Sequence, residues 1–261
     1  MLEGSTVFIT GASSGIGRSC AEAFGRAGAR LLLCARRADR LAALAAGLDS
    51  EVMALDLDVS DGHAVLEAVG GLPPEWAEID VVVNNAGLAV GLAPLHQGEV
   101  NDWDRMLDTN VRGLLAVTRA VVPGMVERGR GHVVNIGSIA GREAYPGGAV
   151  YCATKAAVAR LTQSLRMDLL GTGLRVSSVD PGLVETEFSV VRFGGDTDRA
   201  AEVYRGYQPL SPEDVAETVV WVADRPAHVQ VAEVLLLPTA QASATRVWKQ
   251  AAGGVTAAKQ P

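Results

Sequence analysis

The chain has 261 residues, of which 48% are hydrophobic and 20% charged, and this composition is typical of one globular domain rather than of a disordered or fibrous chain. Its formal net charge of −7 excludes a general attraction to nucleic acid or to an anionic membrane, so any phosphate site must be built locally. The three cysteines and four histidines show no metal-ligand spacing, which predicts reduced thiols and no metal site.

The chain starts almost directly with a candidate strand, which leaves no room for a signal region. No apolar run approaches the roughly 20 residues that a membrane-spanning helix needs. We therefore expect a cytoplasmic protein that has neither a membrane nor a nucleic acid as partner.

Short runs rich in aliphatic and β-branched residues alternate with stretches of helical spacing along the chain. The predicted strands are Thr6–Thr10, Arg30–Cys34, Glu51–Leu55, Val81–Asn84, His132–Ile136, Arg175–Asp180 and Val234–Leu237. The predicted helices are Gly15–Ala27, Ala38–Leu48, Asp104–Arg128, Val150–Leu170 and Pro212–Ala223. This alternation predicts a single α/β domain with a doubly wound, Rossmann-like parallel sheet of about seven strands and helices on both faces.

The predicted domain covers residues 1–239 and includes a substrate loop at about residues 183–210. Residues 240–261 are rich in Ala, Gly, Thr and Gln, so we expect them to form a poorly ordered tail or an arm on a neighbouring subunit.

A glycine motif connects the first predicted strand to the first helix, with the sequence Thr-Gly-Ala-Ser-Ser-Gly-Ile-Gly from Thr10 to Gly17. Gly11 suits a tight turn, Gly15 lets the backbone approach a pyrophosphate, and Gly17 lets the helix pack closely on the strand. The helix N-terminus would face the anion. The motif therefore predicts a dinucleotide site, although three glycines can also simply close a turn.

The end of the second predicted strand indicates which dinucleotide binds. A carboxylate at this place would accept hydrogen bonds from a ribose 2′-hydroxyl, but the chain has Arg36 and Arg37 there. Because a guanidinium binds a 2′-phosphate through charge-assisted hydrogen bonds, we predict NADP (NADPH) as the cofactor, with Arg36 as the first candidate. In the alternative interpretation both arginines are solvated charges at the start of a helix.

Tyr151 and Lys155 are one helical turn apart, so both can reach the same ligand. A phenol has a pKa near 10, and a neighbouring ammonium would favour the phenolate and make Tyr151 a proton donor or acceptor. Ser138 follows the fifth predicted strand, where its hydroxyl could hydrogen-bond a reacting carbonyl oxygen. A Tyr and a Lys at this spacing also occur on ordinary helix faces.

Two asparagine positions suggest further contacts. Asn84-Asn85-Ala86-Gly87 follows the fourth predicted strand and suits close backbone approach to a cofactor, or merely an Asx turn. Asn110 lies within a long apolar helical stretch. If its side-chain amide is buried there, it needs a specific hydrogen-bond partner. In the alternative interpretation the amide is exposed to solvent.

These motifs together resemble the short-chain dehydrogenase/reductases from Thr6 to Thr239. The resemblance implies that Tyr151 is the general acid/base, Lys155 lowers its pKa and holds the nicotinamide ribose, and Ser138 orients the substrate oxygen. It also implies that Asn110 supports a water-linked proton relay. The cofactor-binding residues implied by the motifs and the resemblance are Gly11, Ser13, Ser14, Gly15, Ile16, Gly17, Arg36, Arg37, Asp58, Val59, Asn85, Ala86, Gly87, Tyr151, Lys155, Pro181, Gly182 and Thr186.

Longer stretches are similar to one branch of that family, the bacterial NADP-dependent 3-hydroxy acid dehydrogenases, also called serine or L-allo-threonine dehydrogenases or malonic semialdehyde reductases. The similar stretches are Pro74–Trp76, Asn84–Gly91, Arg119–Glu127, Pro181–Phe193 and Pro226–Val229. The branch implies oxidoreduction of a small 3-hydroxy acid.

The carboxylate of such a substrate calls for a cation near the reacting carbon, and we predict Arg192 for this role, with Arg142 as the competitor. A solvated loop arginine is the plainer interpretation of either. Reduction of larger ketones, aldehydes or oxoacyl thioesters, and NADP binding without turnover, remain alternatives. The long apolar helices, together with the resemblance, predict a homotetramer.

Overall fold

Seven parallel strands form one sheet within residues 2–250, the part of the chain that the computed structural model describes. The strands are β1 (Thr6–Thr10), β2 (Arg30–Ala35), β3 (Val52–Asp56), β4 (Val81–Asn84), β5 (Gly131–Ile136), β6 (Leu174–Pro181) and β7 (Glu233–Leu236). Their order across the sheet is β3-β2-β1-β4-β5-β6-β7, and every neighbouring pair is parallel. The predicted doubly wound α/β fold is confirmed.

The order of the strands determines where a ligand can bind. From β1 the chain continues outward through β2 and β3, and it then returns to place β4 on the other side of β1. The connections that leave β1 and β4 therefore run in opposite directions, and a crevice opens at the carboxyl ends of these two strands.

Helices cover both faces of the sheet and bury its alternating side chains. They are α1 (Gly15–Arg26), α2 (Ala38–Ala46), α3 (Gly62–Gly70), α4 (Pro74–Ala77), α5 (Val100–Leu107), α6 (Leu114–Arg128), α7 (Ala149–Asp168), α8 (Glu187–Arg192), α9 (Thr197–Tyr204) and α10 (Pro212–Ala223). Ile9 of β1 packs with Phe24 of α1 and Val219 of α10, whereas its neighbour Phe8 packs on the opposite face with Val121 of α6. This alternation produces two apolar cores separated by the sheet.

The third predicted helix differs most from the structure. Helix α5 begins at Val100 rather than Asp104, and a π-helical turn, Asp108–Gly113, joins it to α6. By contrast, α10 has the predicted bounds, because Ser211 and Asp214 form a capping box at its start and Pro212 occupies its first turn.

The C-terminal segment, residues 240–250, packs on the domain. Gln241 is buried and its side chain accepts a hydrogen bond from the backbone N–H of Leu183, 2.9 Å away. At the end of the segment, the N–H of Gln250 donates to the carbonyl of Gly206 at 2.7 Å. The expectation of a poorly ordered tail is therefore wrong for residues 240–250, and residues 251–261 lie outside the described part. No helix between residues 2 and 250 is long and apolar enough to cross a membrane.

Candidate active site

A cleft of about 620 Å³ lies at the carboxyl ends of the strands, at the point where the strand order reverses. Most of the residues predicted from the sequence line this cleft. They are Gly11, Ser13, Ser14, Gly15, Ile16, Arg36, Arg37, Asp58, Val59, Asn85, Ala86, Gly87, Ser138, Tyr151, Lys155, Pro181, Gly182, Thr186 and Arg192. Gly17, Asn110 and Arg142 do not line it.

The glycine motif forms the cradle that its spacing predicts. Gly11 and Gly15 have φ angles of +67° and +51°, which a side chain would strain. A Cβ atom on Gly17 would lie 2.3 Å from the carbonyl oxygen of Gly11, so only glycine lets α1 approach the loop this closely. The hydroxyl of Ser14 caps none of the first amides of α1. The free amides and the helix dipole suit a bound pyrophosphate.

Thr10 and Asn85 join the loops that follow β1 and β4. The Thr10 hydroxyl accepts hydrogen bonds from the backbone N–H groups of Asn85 at 3.1 Å and Ala86 at 3.0 Å. The Asn85 side-chain amide donates to the carbonyl of Thr10 at 2.8 Å. The two walls of the crevice are therefore fixed relative to each other.

The two arginines after β2 differ in how free they are. The Arg36 side chain is 61% exposed and pairs only loosely with Asp58, with 3.4 Å between nitrogen and oxygen. Arg37 donates to the hydroxyls of Ser13 at 3.2 Å and Ser14 at 2.6 Å, and its third donor binds Glu187 at 2.9 Å. Arg36 is therefore the cation with more capacity for a new phosphate partner.

Asn110 holds the loop after β4 against α7. Its Oδ1 accepts from the N–H of Leu88 at 2.8 Å, and its Nδ2 donates to the carbonyl of Leu88 at 2.8 Å and to the hydroxyl of Thr154 at 3.0 Å. Thr154 precedes Lys155, so the amide holds the part of α7 that carries Lys155. Every polar atom of the Asn110 side chain is engaged in these bonds, and the relay role stays a prediction.

Lys155 lies beneath the cleft with its side chain almost wholly buried. Its ammonium donates to the carbonyl of Ile136 at 2.8 Å. Burial lowers the pKa of Lys155 to about 8, and the negative charge of Asp180 opposes this change.

Tyr151 is also buried, and burial raises the pKa of its phenol above the usual value of 10. The hydrogen bond to Ser138 and the charge of Arg192 act in the opposite direction. The sequence predicts a low pKa for the phenol of Tyr151, but in the protein alone this pKa is raised. The cation that acts to lower it is Arg192. The Ser138 hydroxyl accepts from the N–H of Ala140 at 3.1 Å, so its own proton can be donated to the oxygen of Tyr151 or of a substrate.

Arg192, the last residue of α8, brings a cation close to the phenol. Its guanidinium carbon lies 5.7 Å from the ring centre of Tyr151 and 5.2 Å from that of Tyr145. One terminal nitrogen, Nη2, is buried without a hydrogen-bond partner, and no ion pair of Arg192 occurs among residues 2–250. Nε of Arg192 is bound to the carbonyl of Gly91, and Tyr145 is a further hydrogen-bond partner of the side chain. The site thus contains a guanidinium beside Tyr151 that has no carboxylate partner among residues 2–250 and has one buried N–H group available to a ligand.

Arg142 is occupied elsewhere, so the prediction that it competes for a substrate carboxylate is wrong. Its guanidinium pairs with Asp180 and with Glu233, each at 2.7 Å, and it lies outside the cleft lining. These contacts balance the charge of the buried Asp180, which in turn acts on Lys155.

Sequence reasoning missed several residues that line the substrate end of the cleft, namely Tyr145, Phe188, Gln241 and Ala244, as well as Glu187 near the arginines. The Phe188 ring lies 5.5 Å from that of Tyr151, at an angle of 59°. These residues carry no motif of their own. Tyr145 lies between β5 and α7, Glu187 and Phe188 lie in the loop at about residues 183–210, and Gln241 and Ala244 lie in the C-terminal segment, so only the fold brings them together. No group of His, Cys, Asp or Glu side chains suited to a metal ion lies among residues 2–250.

Comparisons with known proteins agree with this geometry. The short chain dehydrogenase family matches residues 5–193. The NADP-dependent 3-hydroxy acid dehydrogenase YdfG of Salmonella typhi is 49% identical over 239 residues, covering 91% of this chain and 96% of that protein. The NADP-dependent 3-hydroxy acid dehydrogenase of Schizosaccharomyces pombe is 45% identical over 256 residues, covering 96% and 99%.

Solved structures show the same similarity. A closed form of serine dehydrogenase complexed with NADP+ superposes with a TM-score of 0.90 at 44% identity, over 98% of this chain and 100% of that one. Serine dehydrogenase from Escherichia coli gives a TM-score of 0.80 at 42% identity, over 91% and 99% of the two chains.

Proposed function

Because the chain belongs to the short-chain dehydrogenase family, we propose that it is an NADP-dependent dehydrogenase that interconverts a small 3-hydroxy acid, such as serine or 3-hydroxypropionate, and its 3-oxo or semialdehyde form. The observation that carries the proposal is the guanidinium of Arg192 beside the phenol of Tyr151, because its buried Nη2 has no hydrogen-bond partner and no carboxylate among residues 2–250 pairs with it. A carboxylate bound by that guanidinium would hold the hydroxyl of a short hydroxy acid near Tyr151 and Ser138. The named activity of the relatives supports the same substrate class.

The residues of the cleft suit NADP. The uncapped start of α1 and the glycine cradle suit the pyrophosphate, and Arg36, with Arg37 next to it, suits the 2′-phosphate. Asp58, Val59, Asn85, Ala86, Gly87, Pro181, Gly182 and Thr186 also line the cleft. With NADP bound, Asp58 and Val59 would flank the adenine, Asn85, Ala86 and Gly87 would line the cofactor cleft, and Thr186 would contact the carboxamide. When bound, NADP supplies the acceptor or donor of the hydride.

The catalytic residues then divide the proton chemistry among them. In the reduction direction Tyr151 donates its phenolic proton to the carbonyl oxygen, and the Ser138 hydroxyl donates a hydrogen bond to the same oxygen. The Lys155 ammonium, which would also hold the nicotinamide ribose, and the Arg192 guanidinium together stabilise the phenolate that remains. In oxidation the phenolate takes the hydroxyl proton back. Asn110 keeps α7 in place through Thr154.

An absorbance assay of NADPH tests the activity directly. The purified protein should turn over small 3-hydroxy acids or their semialdehydes faster than neutral alcohols. It should favour NADP over NAD at least tenfold in kcat/KM, because a charge-assisted hydrogen bond to the 2′-phosphate is worth about 1.5 kcal/mol or more. Tyr151→Phe should retain cofactor binding and lose at least a hundredfold in kcat. Preference for large neutral ketones would favour the alternative substrate class, and binding without turnover would favour a sensor.

Arg192→Ala tests the carboxylate contact. Loss of a charge-assisted hydrogen bond to substrate should raise KM for hydroxy acids about thirtyfold or more and change KM for neutral alcohols little. Arg205→Ala serves as the control because Arg205 is exposed and, among residues 2–250, its side chain pairs only with Glu202. Equal losses on acidic and neutral substrates would remove Arg192 from this role.

We further propose that the protein is a cytoplasmic homotetramer. Large apolar side chains are exposed on the single chain, as expected if another subunit covers them. They are Leu107 of α5, Leu115 and Val126 of α6, and Met167 near the end of α7. The three cysteines are free and buried, which suits a reducing compartment. Analytical ultracentrifugation tests the assembly, and a monomer at micromolar concentration would contradict it.

A further inference from the structure

Glu187, the first residue of α8, forms ion pairs across the cleft that no motif predicted. Its Oε2 accepts a hydrogen bond from Arg37 at 2.9 Å, and its two oxygens accept from Nη1 of Arg40 at 2.7 and 3.0 Å. Both arginines hold the pKa of the Glu187 carboxyl below its usual value. The carboxylate is therefore charged and shared between two guanidinium groups at neutral pH.

These ion pairs connect two loops that are far apart in the sequence. Arg37 precedes α2 and also binds the hydroxyls of Ser13 and Ser14 in the glycine motif. Arg40 lies in α2 and does not line the cleft. Through Arg37, the carboxylate of Glu187 ties the substrate loop to the same loop that suits the cofactor phosphates.

Helix α8 is held at its other end as well. The N–H of Gly91 donates to the carbonyl of Arg192 at 2.9 Å, and Nε of Arg192 donates back to the carbonyl of Gly91 at 3.3 Å. The helix therefore spans the cleft between the phosphate loop at Glu187 and the catalytic side at Arg192. Because α8 has six residues, a shift at one end moves the other end as well.

We propose that Glu187, with Arg37 and Arg40, is a latch that keeps α8 closed over the bound NADP and so positions Arg192 for the substrate. Glu187 and Arg40 are positioning residues, since they act on the substrate through α8. The part of the proposal that concerns Arg192 rests on the proposed function, whereas the part that concerns cofactor retention does not.

The ion pairs of the latch are weak enough for α8 to open in each catalytic cycle. The side chains of Glu187 and Arg40 are both 46% exposed, and ion pairs at such sites are individually weak and are screened by salt. A latch of this kind would open readily to exchange the cofactor, and its opening would become faster as ionic strength rises.

Stopped-flow fluorescence of NADPH release tests cofactor retention without any substrate. Glu187→Gln and Arg40→Gln should each speed release about fivefold at low salt, and the double variant should be no faster than the faster single variant, because the pair is already broken. Salt should accelerate release from the wild-type protein more than from either variant. Glu185→Gln is the matched control, since Glu185 lies on the same loop, is exposed, and forms no ion pair among residues 2–250.

Steady-state kinetics with the 3-hydroxy acid tests the link to Arg192. Glu187→Gln and Arg40→Gln should raise KM for the acid about fivefold with NADP saturating, and leave KM for a neutral alcohol within about twofold. Release rates equal to wild type in both variants, or additive effects in the double variant, would overturn the latch even if the hydroxy acids are turned over. A protein that turns over no hydroxy acid but shows the faster release would overturn the proposed function and leave the latch standing. Absence of NADPH binding would overturn both.

Discussion

Lys155 and Tyr151 share a buried environment, and burial acts on their pKa values in opposite directions. It lowers the pKa of the lysine to about 8 and raises that of the phenol, because the charged form of each group is the one that loses hydration. At neutral pH the protein alone therefore has a neutral Tyr151 beside a charged Lys155. This is the pair of protonation states that the reduction direction needs, since the phenol must donate a proton and the ammonium must stabilise the phenolate.

The activity in the reduction direction should consequently fall as pH rises through about 8, because Lys155 loses its proton there. The Asp180 carboxylate raises the pKa of Lys155, so Asp180→Asn should move the fall in kcat/KM to lower pH. At a pH near 8.5 the variant should lose several-fold more activity than at a pH near 6.5. A pH profile of kcat/KM for the semialdehyde measures this.

Arg142→Gln is the companion variant for that profile. It removes the guanidinium that pairs with Asp180 but keeps the carboxylate near Lys155, so the inflection should not move to lower pH. A profile of Asp180→Asn with the wild-type inflection would show that Asp180 does not tune Lys155. Thermal unfolding of both variants separates this effect from a loss of folded protein.

The residues proposed for the chemistry could be singled out where their spacing along the chain carries the information. Tyr151 and Lys155 lie one helical turn apart and Ser138 follows a strand, and all three line the cleft. The roles of Arg142 and Arg192 could not be separated in this way. Asp180 and Glu233, which occupy Arg142, lie 38 and 91 residues away from it, and only the fold brings them together. Glu187 was missed because its partners Arg37 and Arg40 are also remote.

At the level of elements, the sequence predicts regular periodicity better than its local interruption. The strands and α10 lie close to where hydrophobic runs and caps predict them, whereas the π-helical turn at Asp108–Gly113 has no periodic signature. This turn contains the buried Asn110 and breaks the regular spacing between α5 and α6. Hydrophobic periodicity that predicts one continuous helix therefore singles out Asn110 as a residue within it, but does not predict the π-helical turn that positions Asn110.

The C-terminal segment, residues 240–250, is the second part of the chain for which the prediction from the sequence was wrong. Its small polar residues suggested disorder, but Gln241 lines the cleft and binds Leu183 of the substrate loop. The N–H of Ala244, next in the cleft lining, donates to the Glu143 carboxylate at 2.8 Å. Specific hydrogen bonds to the loops around the cleft, rather than an apolar face, hold this segment in place.

Gln241→Ala should loosen the substrate loop. It removes the acceptor for the N–H of Leu183 and the donor to the carbonyl of Ser243, each worth about 1 kcal/mol, so KM for substrate should rise about fivefold. The measurement is KM with NADP saturating. Arg246→Ala is the control, because Arg246 is exposed in the same segment and its side chain makes no hydrogen bond or ion pair among residues 2–250. Equal KM values in the two variants would contradict a role for Gln241 in the loop.

At the scale of the whole molecule, the order of the seven strands explains why one cleft collects residues from six strand ends. Parallel strands place all their carboxyl ends at one edge of the sheet, so the residues after β1, β2, β3, β4, β5 and β6 meet there although they are spread along most of the chain. Alternating strands and helices predict this convergence without any contact being known. What they leave open is which loops fold over the edge, and here those are the substrate loop and the C-terminal segment.

The sheet also contains a group that should make the fold sensitive to acid. His132 lies in β5, buried, and its Nε2 hydrogen-bonds the Ser177 hydroxyl of β6 at 2.8 Å. Burial, reinforced by the charge of Arg175, lowers the pKa of His132 to about 3 from a usual value of 6.5. Between these two pH values His132 is protonated in the unfolded chain but neutral in the folded protein. The free energy of unfolding should therefore fall as pH decreases from about 6.5 toward 3, by an amount on the order of a few kcal/mol. Urea unfolding between pH 7 and 4 should show a smaller decline for His132→Gln than for the wild-type protein, whatever the stability of the variant at pH 7. An identical pH dependence in both proteins would mean that other groups, and not this histidine, set the acid limit of the fold.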